Sequence, residues 1–181
     1  YRTNAQSRSF EDALRRGSIP YRVGGGMSFY RRREIKDALA YLRLVVNPND
    51  EASLRRVINT PARGIGDKTQ AILFSFADHE GVGVWETLER VGEGVVPPRA
   101  ATAVARFRDL IKASRERADD ESASEVARSL IQDSGILEDF RKEHTPENLA
   151  RWENVQELLN AISEFSETGG KIHRRHRDNI V

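Results

Sequence analysis

Apolar positions recur along the chain at helical rather than alternating spacing. Ile35, Leu39, Leu42, Val45 and Val46 form one stripe, which predicts a helix from Arg31 to Asn47. Pro48-Asn49-Asp50 breaks it, and Asp50 can cap a following helix through Asn59 that carries Leu54, Val57 and Ile58. Ala71, Ile72, Leu73 and Phe76 predict another helix, capped by Asp67 and ending near Gly81. Trp85 to Val91 reads as a short helix and Gly92 to Pro97 as a loop. Pro98 suits the first position of a long helix to about Ala118, with Val104, Phe107 and Ile111 inward. Ser122-Ala123-Ser124-Glu125 has the form of a capping box, and Gly135 ends the helix it opens. Ile136 to Glu143 continues as a short helix. Thr145-Pro146 opens a last long helix with Leu149, Trp152, Val155, Leu159 and Ile162 on one face, ended by Gly169-Gly170.

The pattern changes at both ends. Tyr1-Arg2-Thr3 reads as the end of a strand, Asn4 or Ser7 as the cap of a helix through Arg16, and Tyr21-Arg22-Val23 as a short extended segment. Gly24-Gly25-Gly26 reads as a turn; the G-x-G-x-x-G spacing of a nucleotide loop fails at Phe29. Lys171 to Arg177 is basic and poor in apolar residues, as in a flexible linker, and Asp178-Asn179-Ile180-Val181 resembles the start of a strand. The expected fold is an all-α helical bundle containing a helix-hairpin-helix-like turn, with a small α/β stub at the chain ends. The expected units are residues 1–30, 31–168 and 169–181.

One connection carries chemistry. Thr60-Pro61-Ala62-Arg63-Gly64-Ile65-Gly66-Asp67-Lys68-Thr69 joins two predicted helices. Glycine tolerates positive φ and lets a ligand approach the backbone. Ile65 would plug the turn into the core, and the amides from Gly64 to Lys68 would open the next helix, where an anion is favoured. Lys68 adds a charge and Thr69 a hydroxyl, while nothing here selects a base. The bland alternative is a glycine-rich turn with incidental charges. Gly-Asp-Lys-Thr is not a phosphate-binding P-loop, because Asp67 occupies the required glycine position.

Charge sharpens this reading. Residues 1–70 hold 14 Lys and Arg against 7 Asp and Glu, net +7, whereas residues 71–181 hold 15 against 21, net −6. The basic half contains the turn, so one face suits a polyanion and another a solvent or protein contact. The run Arg31-Arg32-Arg33 opens a helix where cations oppose the dipole, which leaves a phosphate contact or interdomain ion pairing open. No apolar run approaches the roughly 20 residues that cross a bilayer. The chain has no cysteine, which excludes disulfides and thiolate metal sites and fits a reducing cytoplasm. His173 and His176 lie in an arginine-rich tail without carboxylate or thiol partners, so no metal site is expected. Other carboxylates fall at caps and on polar faces, Trp85 and Trp152 fall on apolar stripes, and no catalytic set stands out. The start Tyr1-Arg2-Thr3, without an initiator Met, suggests an internal piece of a longer chain.

An ordered set of motifs resembles one family. Tyr1 to Arg8, Pro20-Tyr21-Arg22-Val23, Gly25 to Phe29, Glu34-Ile35-Lys36-Asp37, Tyr41-Leu42-Arg43, Asn59 to Gly66, Asp133-Ser134-Gly135 and Arg151 to Leu158 follow the order found in the UvrD/PcrA/Rep helicases of superfamily 1. The match spans about residues 1–165. The resemblance implies the 2B insertion subdomain at 31–168, the edge of the second RecA-like motor domain (2A) at 1–30, and a linker returning toward that motor at 169–181. It implies a parent that unwinds DNA 3′→5′ in repair or replication, with ATP and Mg2+ bound elsewhere. This chain lacks the P-loop, the Asp-Glu metal motif and the γ-phosphate-sensing arginines, so no cofactor and no catalytic residue is expected in it. The turn maps onto the family's duplex contact, which implies DNA binding by Arg63, Gly64, Ile65, Gly66, Lys68 and Thr69. Arg2, Thr3 and Asn4 resemble a motor-domain motif lying against the single strand. Implied partners are duplex backbone, the single strand, the rest of the motor and a repair protein, with no membrane. The competing reading is a regulatory or protein-docking module that gates the motor, with the acidic second half as its docking side.

Overall fold

A computed structural model describes residues 26–175, with side chains from 28 to 167. The expected strand at Tyr1 to Thr3, the helix to Arg16, the segment Tyr21 to Val23, most of the glycine turn and the strand from Asp178 lie outside the described residues. Among the described residues the chain is helical and has no strand. A short helix α1, Gly26–Arg31, leads into α2, Arg33–Val46, and then α3, Glu51–Val57. After a nine-residue connection come α4, Asp67–Glu80, and α5, Val84–Glu89, with a 3-10 turn at Val91–Glu93. The second half is α6, Pro98–Arg117; α7, Ala123–Asp133; α8, Ile136–Lys142; and α9, Pro146–Arg175.

Helix α2 is the hub. It packs against α1, α3, α6, α7 and α9, while α4 lies on α5 and α5 on α6. Ile35, Tyr41, Leu42 and Leu44 of α2 are fully buried, and Phe107, Ile111 and Leu54 meet them from α6 and α3. A helix lined with apolar residues on most of its circumference belongs at such a centre. Its C-terminal carbonyl at Val45 accepts from Arg115 Nη1 at 3.1 Å, a cation placed where the helix dipole favours one. Val104, Phe107 and Ile111 point inward from α6 as their spacing predicts.

The ends of the helices follow local chemistry. Asp50 caps α3, accepting from the Ser53 amide at 3.1 Å. Ser122 and Glu125 form the complete capping box of α7. Asp67 does not cap α4: Gly66 occupies that position without a side-chain bond, and Asp67 is the first helical residue. Helix α9 does not stop at Gly169-Gly170 but runs on to Arg175. Two glycines cost a helix about 1 kcal/mol each relative to alanine, which weakens it without forbidding it.

Two burial expectations also change. Leu149 is 59% exposed and Trp152 half-buried, because α8 covers the first turns of α9 only in part, with Arg141 lying 5.3 Å from the Trp152 ring centroid. Glu34 and Asp37 are buried rather than solvated. Asn154 Nδ2 donates to Glu34 at 2.7 Å, and Asp37 lies 2.7 Å from Arg56 Nε. Burial raises the Asp37 carboxyl above its ordinary value, against the opposing pull of Arg56 and Arg33.

The capping box yields a pH test. Hydrogen bonds from the Ser122 hydroxyl and amide hold the exposed Glu125 carboxylate below its ordinary value of 4.5. A carboxyl whose pKa is lowered on folding stabilises the fold above its unfolded pKa and loses that contribution as pH falls through the folded one. Glu125→Gln should therefore lower Tm at pH 7, and the gap from the native protein should close toward pH 3. A gap of equal size at both pH values, followed by circular dichroism, would contradict this role.

Candidate nucleic-acid interface

The connection between α3 and α4 is built by one amide side chain. Asn59 Oδ1 accepts from the backbone N–H of Arg63 at 2.9 Å and of Ile65 at 3.1 Å, drawing residues 59–65 into a closed bend. The Thr60–Pro61 peptide is cis, and Gly64 has φ +86°, the left-handed region that side chains disfavour. Ile65 is fully buried and pins the bend to the core. Its carbonyl accepts from Gln70 Nε2 at 2.9 Å, and the Gly66 carbonyl accepts from the Gln70 amide at 3.0 Å.

What remains is a row of donors. No hydrogen bond among the described residues engages the amides of Gly64, Gly66, Asp67, Lys68 or Thr69. Three of these belong to the first turn of α4, where an α-helix has no internal acceptor for them. Gly64, Gly66, Asp67 and Lys68 are exposed. A Cβ added at Gly64 or Gly66 would meet nothing within 4 Å, so the backbone is open to an approaching ligand. Lys68 makes no ion pair among the described residues and stands beside the amides as a free cation. Thr69 is half-buried. The Asp67 carboxylate, in the same turn, opposes an anion there.

Arg63 faces the other way. Its Nη2 donates to the Tyr41 hydroxyl at 2.6 Å, to Thr60 O at 3.2 Å and to Ser134 O at 3.2 Å. Its guanidinium lies 5.2 Å from the Phe107 ring centroid and 5.8 Å from that of Tyr41. The Tyr41 hydroxyl in turn donates to Thr60 O at 2.5 Å. One side chain thus ties the bend to α2, α6 and the end of α7. Burial raises the Tyr41 phenol above its ordinary value, against the pull of the Arg63 charge, so it stays protonated and able to donate.

Several other basic residues near the bend have partners within the bundle. Arg55 pairs with Glu51 at 2.7 Å and stacks 3.4 Å over Phe74, a bridge between α3 and α4. Of the run Arg31-Arg32-Arg33, Arg32 donates to Asn154 and Arg33 lies 3.9 Å from Asp37. Arg2, Thr3 and Asn4 lie outside the described residues. The sequence pattern does not point to Asn59, Gln70 or Tyr41 as site residues. An asparagine four residues before Arg63, at a turn, is a signal for Asn59; nothing local marks Tyr41.

Among the described residues, no group of three His, Asp or Glu side chains is placed to hold a metal ion. No described helix is long and apolar enough to cross a membrane. The fold and the bend define an all-helical module that offers unpaired main-chain donors at an open helix N-terminus, a place for an anion. The model of the UvrD-like helicase C-terminal domain matches residues 1–178, and the chain belongs to that family. It is 42% identical to ATP-dependent DNA helicase UvrD1 of Mycobacterium tuberculosis over 92% of its own length and 22% of that protein. It is 42% identical to DNA helicase II of Escherichia coli over 92% of its length and 23% of that protein. The corresponding figures for ATP-dependent DNA helicase PcrA of Bacillus subtilis are 36%, 92% and 23%. The chain therefore spans less than a quarter of the length of these relatives.

Removing the Arg63 fork should loosen the bend. Arg63→Ala should cost about 2–3 kcal/mol in urea unfolding, since it leaves Ser134 O unpaired and the ring faces uncovered. Tyr41→Phe should cost about 1–2 kcal/mol, because the guanidinium keeps its carbonyl partners. Equal losses for the two variants would show that the arginine acts only through the phenol.

Proposed function

We propose that this chain is a DNA-binding accessory part of an ATP-dependent 3′→5′ DNA helicase, and that it holds the duplex by its sugar–phosphate backbone. The observation that carries this reading is the row of unpaired, exposed amides from Gly64 to Thr69 on a glycine-bracketed bend. Phosphate oxygens would accept from these amides, with Lys68 adding charge and the Thr69 hydroxyl a further donor, in the manner of a helix-hairpin-helix. Ile65 and Arg63 would position the bend rather than touch DNA. Family membership and the names of the relatives support a helicase parent. In that parent residues 31–168 would form the 2B subdomain and residues 1–30 the motor's edge, with Arg2, Thr3 and Asn4 toward the single strand. ATP and Mg2+ would bind outside this chain, and the unwinding step would be driven from there.

A second reading has its own observation. Leu149 and Trp152 of α9 border an apolar notch of about 460 Å³ with Phe140 and Pro146. Such a notch suits a regulatory or repair protein docking on the acidic half, and the two roles are compatible.

Gly66→Asp separates fold from binding. Gly66 has φ −72° and ψ 176°, ordinary extended backbone, and stands at the N-cap of α4 with open space around it. Aspartate is at least as good an N-cap as glycine, so Tm should hold or rise slightly. Its carboxylate would take the amides intramolecularly and repel phosphate. Affinity for hairpin DNA, measured by fluorescence titration, should fall about tenfold or more, as for the loss of a charged hydrogen bond. Binding of the native chain should weaken steeply with salt. Undiminished binding by the variant, or native binding indifferent to salt, would contradict the proposal.

A further inference from the structure

A second basic surface meets the bend at Arg63. A groove of about 610 Å³ is lined by Arg63, Arg99, Thr102, Arg106, Phe107 and Ser134. Arg99, Thr102 and Arg106 are exposed and lie at i, i+3 and i+7 of α6, on one face of that helix. Seven residues of helix advance about 10.5 Å, roughly three base-pair steps of duplex axis.

The electrostatics of this groove are unbalanced in one direction. Asp133, which lines it, pairs with Arg117 at 3.5 Å, and the nearby Asp109 pairs with Arg108 at 2.7 Å. Arg99 and Arg106 make no ion pair or hydrogen bond with any described residue. Arg99 also stands in the first turn of α6, which contains no acidic residue. A cation there opposes the helix dipole, and a bound anion would relieve both that conflict and the unpaired amides of the turn.

We propose that Arg99, Thr102 and Arg106 form a second phosphate-backbone contact, continuous with the bend through Arg63, so that the chain holds duplex DNA along a track rather than at a point. This rests on the duplex-holding reading above. An acidic protein segment is the other polyanion that such charge would attract. The three-step spacing favours DNA.

The test compares the native 181-residue chain with R99Q/R106Q, R99K/R106K and G66D. Each is titrated with fluorescent hairpin DNA at several salt concentrations, and the native chain and the glutamine pair also with an oligo-glutamate peptide. The glutamine pair should melt as the native chain does, since neither arginine has a described partner. It should bind every duplex sequence more weakly and reduce the slope of log K against log salt by about 2. The lysine pair should keep the native slope. If G66D weakens binding while the glutamine pair leaves affinity and slope unchanged, the track is overturned and the bend reading stands. If the native chain binds no duplex at all, both fall. If the native chain prefers oligo-glutamate and loses it in the glutamine pair, the groove belongs to an acidic protein and the proposal is overturned.

Discussion

The bend depends on a single half-buried guanidinium. Arg63 reaches the Tyr41 hydroxyl and the carbonyls of Thr60 and Ser134, and covers the ring faces of Phe107 and Tyr41. Only arginine presents several coplanar donors in a rigid fork that also stacks on aromatic rings; lysine would reach one partner and leave the others unpaired. The connection that holds the bend is nine residues with a left-handed glycine and two exposed glycine backbones, and an untethered segment of that kind would sample many conformations. The arginine ties it to three helices at once. Asn59 closes it from within, and Ile65 anchors its far side.

That division of labour has a consequence for recognition. With the cation turned inward, the outer face of the bend is mostly main chain. Main-chain amides carry no information about sequence and give up little entropy when a ligand arrives, because the fold has already fixed them. The proposed contact is thus preorganised, blind to base identity and set by the dipole of α4 and the charge of Lys68. Asp67 works against it. Its carboxylate supports the helix N-terminus and also weakens the anion site.

Much of this was legible in the chain. Helix α6 could be bounded from Pro98 and the Val104-Phe107-Ile111 stripe. The Ser122/Glu125 box and the break at Pro48-Asn49-Asp50 gave two helix starts, because both rest on local chemistry. The glycine-bracketed turn, with Ile65 inward, was readable for the same reason. The long-range partners were not. Nothing near Arg63 in sequence announces Tyr41, 22 residues away, or Ser134, 71 residues away. The charge beside Gly64 suggests a ligand contact, whereas the side chain hydrogen-bonds to Tyr41 and Ser134 within the bundle. Glu34 and Asp37 looked like surface acids because their partners, Asn154 and Arg56, are brought to them only by packing. Leu149 looked buried because a stripe predicts a face but not whether another element will cover it. Helix α9 passes through Gly169-Gly170 because intrinsic propensity is a bias and not a stop.

The most direct measurement follows the amides themselves. In a nitrogen–proton correlation spectrum of the 15N-labelled chain, addition of a short DNA duplex at low salt should move Gly64, Gly66, Asp67, Lys68 and Thr69 most. The shifts should be the same for unrelated duplex sequences. If those five resonances stay in place while others move, the donor row is not where DNA is held, and the account fails.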